Sequence, residues 1–129
     1  MARHILIIDD YEYLLYLLRR VLEDEHYQVS VTNQGRGACE LVQDNPPDLI
    51  ILDLRLGEMS GLDILEALRS REATANIPVL VYTAAILEAE SVRRLVASNP
   101  TRYRNVSVLR KPFDVDMLLE RVGDMITAV

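Results

Sequence analysis

The sequence predicts a doubly wound α/β domain, with a five-stranded parallel sheet in the order 2-1-3-4-5 and helices on both faces. Two observations carry this. Five short, largely apolar runs, beginning at Ile5, Tyr27, Leu49, Ile77 and Val106, alternate strictly with stretches whose apolar residues recur at helical spacing. The length of 129 residues, half of them hydrophobic, fits one domain with a sizeable core. With no Trp and a single Phe, that core has to be largely aliphatic.

The first run, Ile5-Leu6-Ile7-Ile8, is wholly apolar and stops at Asp9-Asp10. Leu14, Leu15, Leu18, Val21 and Leu22 then recur at helical spacing, with Arg19, Arg20 and Glu23 between them, an amphipathic helix of about three turns. Tyr27 to Val31 alternates and reads as a short strand. Gly35 and Gly37 precede a short helix at Ala38, Leu41 and Val42, which Pro46-Pro47 ends. Leu49-Ile50-Ile51-Leu52 reads as a strand buried on both faces and runs straight into Asp53. Gly57 to Ser60 reads as a loop. Ser60-Gly61-Leu62-Asp63 has the Ser-x-x-acid pattern of a helix start, with Leu62, Leu65 and Leu68 as its apolar face. The fourth strand runs from Ile77 to Tyr82, with Pro78 at its start, and ends at Thr83. Leu87, Val92, Leu95 and Val96 form a helical stripe that stops before Asn99-Pro100. Val106 to Leu109 is the fifth strand and leads into Arg110-Lys111-Pro112. Asp114 caps a last helix carrying Val115, Leu118, Leu119, Val122 and Ile126, with Phe113 set to staple onto Leu118.

In this strand order the ends of strands one and three flank the crevice where open α/β sheets bind ligands. Asp9 and Asp10 end strand one, Asp53 ends strand three, Thr83 ends strand four and Lys111 ends strand five. Taken singly, each Asp or Thr is a good cap between a strand and a helix, and Lys111 a surface lysine. Taken together, they put three carboxylates, a hydroxyl and an ammonium on one sheet edge. Close carboxylates repel unless a proton or a cation intervenes. A hard cation such as Mg2+ suits carboxylates combined with phosphate oxygens and water. Lysine is a point-charge partner for phosphate, and a threonine hydroxyl can donate to it. The cluster points to metal-assisted phosphoryl chemistry with Asp53 as nucleophile.

These residues resemble the receiver domain of two-component response regulators. The resemblance covers the whole chain and rests on Ile7-Ile8-Asp9-Asp10, Leu52-Asp53-Leu54 with Gly61 downstream, Tyr82-Thr83-Ala84, and Lys111-Pro112-Phe113. It implies a flavodoxin-like (βα)5 fold and a receiver domain over residues 1–129 with no output domain. It implies that Asp53 accepts a phosphoryl group from a phosphohistidine on a sensor histidine kinase or histidine phosphotransfer protein. It further implies that Asp9, Asp10, Asp53 and the backbone carbonyl of Arg55 hold Mg2+, and that Lys111 pairs with the phosphoryl oxygens. Thr83 would swing its hydroxyl onto the phosphoryl group, with the small Ala84 leaving room. The chain would be a switch that promotes its own phosphorylation and dephosphorylation, not an enzyme. It would signal to a downstream protein or relay phosphate, as a monomer or weak homodimer. His4 and His26 fall away from the carboxyl edge, so the donor acts in trans.

Composition narrows the partners. The net charge of −6 argues against nucleic acid. The N-terminal apolar run is too short for a signal peptide and no stretch reaches membrane length, so a cytoplasmic location without membrane association is expected. Cys39 is the single cysteine, which excludes an internal disulfide and reads as a small packed residue. Gly35-Arg36-Gly37 is too short for a dinucleotide fingerprint.

Three features depart from the receiver pattern. Gly57 stands where the family usually has Pro, and Val108 where it often has Tyr or Phe. The stretch from Thr83 to Lys111 is long, with Asn99 to Asn105 replacing a turn of small residues. Arg93, Arg94, Arg102, Arg104, Arg110 and Lys111 lie in a stretch without an acidic residue, and Tyr103 sits among them. This reads either as a docking patch for an acidic partner or as a solvated face. Tyr11, Tyr13 and Tyr16 crowd the first helix and read as partly exposed. Two other functions stay open at this level: a docking module that works without phosphorylation, and a small phosphohydrolase using Asp53.

Overall fold

The structure is a computed structural model and describes residues 2–56, 59–111 and 114–127. In chain order the elements are β1 (His4–Ile8), α1 (Glu12–Asp24), β2 (Gln28–Thr32), α2 (Ala38–Asp44), β3 (Leu49–Asp53), β4 (Arg55–Leu56), β5 (Met59–Ser60), α3 (Gly61–Ser70), β6 (Val79–Thr83), α4 (Ile86–Ser98), β7 (Val106–Arg110) and α5 (Val115–Thr127). Five strands form one parallel sheet, ordered β2-β1-β3-β6-β7. With the two-residue strands set aside, this is the predicted order 2-1-3-4-5. The segment read as a loop after β3 instead holds a minimal antiparallel ladder, Arg55 opposite Ser60 and Leu56 opposite Met59. Gly57 lies outside the described residues, as does Phe113 with its expected staple.

Strand alternation divides the core in two. Ile5, Ile7, Leu49, Ile51, Leu80 and Tyr82 cluster with Leu15, Leu18 and Leu22 of α1 and Leu118, Val122 and Ile126 of α5. Leu6, Ile8, Ile50, Leu52, Val79 and Val81 cluster with Val42 of α2, Leu65 and Leu68 of α3 and Val92 of α4. Every residue of β3 and β6 is buried, which is why those strands read as unbroken apolar runs.

Local signals set the helix starts. The Ser60 hydroxyl accepts the Leu62 amide at 3.1 Å, and the Asp114 carboxylate accepts the Met117 amide at 2.6 Å. In α4 the stripe is displaced. Leu87 is 78% exposed, and Ala89 and Val92 are the buried residues. Leu87 and Val92 are five positions apart, which turns Leu87 well away from the buried side at about 100° per residue.

The inserted turn folds back on the sheet's other edge. Tyr103, read with the surface patch, is a core residue with 4% exposure. The Arg102 guanidinium lies 5.6 Å from its ring and donates to Ser70 Oγ at 2.8 Å. Arg104 donates to Asn76, and buried Arg69 donates to the carbonyls of Ile77 at 2.8 Å and Arg104 at 3.0 Å. Arg93 pairs with Glu90 at 2.6 Å. These contacts tie residues 99–105 to α3 and the turn after it, while Arg93, Arg94, Arg102, Arg104 and Arg110 stay exposed.

Candidate functional site

The carboxyl edge of the sheet is level because its register is. Asp53 lies opposite Tyr82, and Thr83 opposite Arg110. One residue further, the Lys111 amide donates to the Thr83 carbonyl at 2.8 Å, and the Asp9 amide donates to the Thr32 carbonyl at 3.1 Å. These bonds carry the ladder one step past β7 and β1 and bring Lys111 and Asp9 to the same edge.

Three of the strand-end residues make the same local turn. Asp9 Oδ1 accepts the Tyr11 amide at 2.9 Å, Asp53 Oδ1 accepts the Arg55 amide at 3.2 Å, and Thr83 Oγ1 accepts the Ala85 amide at 3.1 Å. Each satisfies a backbone donor two residues on, at the exit from its strand. The turn-forming role and the site role are thus not rivals. Each carboxylate gives one oxygen to its own turn and turns the other inward.

The inward oxygens meet the lysine. Lys111 Nζ lies 3.7 Å from Asp53 Oδ2 and 4.0 Å from Asp9 Oδ2. Asp9, Asp10 and Asp53 each offer an oxygen, and those oxygens lie within 4.8 Å of one another. Asp9 and Asp53 are buried and Asp10 is exposed, so the cluster opens to solvent on one side. Burial pushes the Asp53 carboxyl up to about 6. Lys111 and the Arg55 amide oppose this, and Asp9 adds to it. Hard oxygen donors at this spacing, one of them paying for its burial as an anion, fit a small divalent cation such as Mg2+.

Thr83 is buried one residue past Tyr82, with its hydroxyl in the turn toward α4. The Arg55 guanidinium reaches across to Glu88 in the first turn of α4 at 3.3 Å, an exposed pair. Val108 is half-buried beside Arg93, Val96 and Ala97 of α4. His4 Nε2 contacts Ser30 Oγ at 2.8 Å at the far end of β1, and His26 occupies the turn before β2. Neither histidine belongs to the acidic edge.

Tyr82, which the sequence offers only as part of the Tyr82-Thr83-Ala84 match, also belongs to the site. The Tyr82 hydroxyl donates to Asp9 Oδ2, and Lys111 Nζ sits 4.5 Å from the centre of its ring. Burial and the neighbouring Asp9 carboxylate hold this phenol protonated. The available signal was a tyrosine as the penultimate residue of a fully apolar strand, since a buried tyrosine hydroxyl needs a polar partner.

A doubly wound sheet with three carboxylates and a lysine at its carboxyl edge defines a class of α/β domains, and the comparisons with known proteins say which. The family model of the response regulator receiver domain matches residues 5–123. The chain is 36% identical over 118 residues to the transcriptional regulatory protein KdpE of Mycobacterium tuberculosis, covering 92% of this chain and 48% of that one. It is 32% identical over 93 residues to the polar-differentiation response regulator DivK of Brucella ovis, covering 72% and 76%. A putative response regulator from Chloroflexus aurantiacus superposes with a TM-score of 0.85 at 25% identity, covering 98% and 99%. This chain belongs to the response regulator receiver domain family. It spans about half the length of KdpE. Among the described residues, no helix is long and apolar enough to cross a membrane.

Proposed function

We propose that the chain is a phosphorylation switch whose acceptor is Asp53. One observation carries the reading: Asp53, Lys111, Asp9 and Asp10 meet at the carboxyl edge, with a lysine ammonium 3.7 Å from the acceptor oxygen. In the forward step an Asp53 carboxylate oxygen attacks the phosphorus of a phosphohistidine. The new O–P bond forms as the P–N bond breaks, and the imidazole leaves and takes up a proton. Lys111 neutralises charge on the transferred oxygens, and the Arg55 amide fixes the other Asp53 oxygen. Asp9, Asp10, Asp53 and the Arg55 carbonyl would hold Mg2+, which supplies charge neutralisation to the phosphoryl oxygens. Water attack on phosphorus later breaks the O–P bond, releasing phosphate and restoring the carboxylate.

Thr83 would report the phosphoryl group by leaving its turn with Ala85. The donor is a sensor histidine kinase or a histidine phosphotransfer protein, because His4 and His26 stand far from the acidic edge along the chain's elements. A downstream protein, in the cytoplasm, reads the result, with the chain a monomer or weak homodimer. It acts as a switch and not as a multiple-turnover enzyme.

The test is labelling by acetyl phosphate. With Mg2+ the wild type should take up one phosphoryl group per chain and Asp53→Asn none. Equal labelling of both contradicts the acceptor assignment. Hydrolysis of many phosphoesters per chain would favour a phosphohydrolase, and partner binding indifferent to phosphorylation would favour a simple docking module.

A further inference from the structure

Tyr82 is a residue the phosphoacceptor reading leaves unused, yet it touches two members of the site. Its ring is fully buried in the cluster packed by α1 and α5, so its position is fixed by the core. From there the hydroxyl donates to Asp9 Oδ2, and the ring lies 4.5 Å beneath Lys111 Nζ. Asp9 is itself completely buried, and its other oxygen is committed to the Tyr11 amide. Both Asp9 oxygens are therefore engaged by protein donors, and the second also faces Lys111 at 4.0 Å.

We propose that Tyr82 is a positioning residue that competes with the divalent cation for Asp9 and so sets the Mg2+ affinity of the site. The proposal rests on the reading of this edge as a Mg2+-dependent phosphoacceptor. Its physical basis is the sense of the hydrogen bond. A group that accepts a proton from a metal ligand makes that ligand a better electron donor. A hydroxyl that donates to a ligand oxygen does the reverse: it spends charge density that the cation would use. The hydrogen bond stabilises the cation-free carboxylate more than the cation-bound one, whose charge is already drawn off. Removing the hydroxyl raises the free energy of the cation-free site and strengthens binding.

Tyr82→Phe tests the effect, because phenylalanine keeps the ring in the core and beneath Lys111 and removes the hydroxyl that donates to Asp9. The probe is Mg2+ itself, titrated calorimetrically at constant pH and ionic strength into the wild type and Y82F. The expected result is a Kd lower in Y82F by about threefold to tenfold, as for partial loss of a charge-assisted hydrogen bond. On the wild type labelled with 13Cζ-tyrosine, the Tyr82 resonance should also move along the same Mg2+ isotherm. That second measurement needs no variant. Equal or weaker binding by Y82F, or a Tyr82 signal that stays fixed while Mg2+ binds, overturns the role of Tyr82 and leaves the phosphoacceptor reading standing. Failure of Mg2+ to bind either protein overturns both.

Discussion

Gly61 stands in backbone contact with Asp53. A Cβ built on Gly61 would lie 2.5 Å from the Asp53 carbonyl oxygen and 2.6 Å from the Leu54 Cα. The Gly61 amide donates to the Leu54 carbonyl at 2.9 Å, which locks the start of α3 onto the chain leaving β3. The clash would be with backbone, which cannot rotate aside. Gly61→Ala is therefore expected to cost about 1–3 kcal/mol of stability, in the range of overpacking elsewhere. It should also slow labelling by acetyl phosphate, because the displaced segment carries the acceptor. Urea unfolding and labelling rates on the variant check both, and unchanged values in each would contradict the contact.

The raised Asp53 carboxyl makes a pH prediction for the Mg2+-free protein. Its value of about 6 in the fold lies above the ordinary carboxylate value of 3.8, so folding favours the protonated form. That contribution is fully present below about pH 4 and is lost as pH rises through about 6. Urea midpoints measured across this window should fall more steeply for the wild type than for Asp53→Asn. The difference should be on the order of 1–3 kcal/mol by pH 7. Parallel curves would show that Asp53 titrates alike in the folded and unfolded chain.

Tyr103 anchors the inserted turn. It fills the core beneath a segment of charged residues, and truncating a buried aromatic costs about 3–5 kcal/mol. Tyr103→Ala should destabilise by about that amount, with hydrogen exchange rising first over residues 99–105. Charge removal at Arg104, whose guanidinium contacts Asn76, should cost far less.

Cys39 is buried on α2, and burial pushes its thiol up, with Arg71 opposing and Glu40 adding a smaller effect. The thiolate is the reactive form. A disulfide reagent should thus label Cys39 slowly in the native protein and rapidly in urea. Fast native labelling would mean that α2 opens readily.

The strands were legible because β3 and β6 are buried on both faces and write themselves as unbroken apolar runs. The acceptor edge was legible for a related reason: Asp9, Asp53 and Thr83 each follow such a run directly and Lys111 comes just after the fifth strand, so strand order brings them together. Other features depend on orientation or pairing that a linear pattern does not carry. Tyr82 reads as one more apolar residue of β6, and only the folded contact of its hydroxyl with Asp9 reveals its place in the site. Two-residue strands such as Arg55–Leu56 and Met59–Ser60 are too short to show a period. Tyr103 sits in a run of arginines that patterns as a charged surface stretch, whereas the turn folds under and buries it. Leu87 has the right chemistry for the core but the wrong phase relative to Val92.

The central claim is that Asp53, and no other carboxylate of the cluster, forms the acyl phosphate. The most direct measurement is reductive trapping: treat the chain with acetyl phosphate and Mg2+, reduce with borohydride, and locate the product by tandem mass spectrometry. An acyl phosphate is reduced to the alcohol, so the account predicts homoserine at position 53. Homoserine at position 9 or 10, or no reduction product at all, would contradict it.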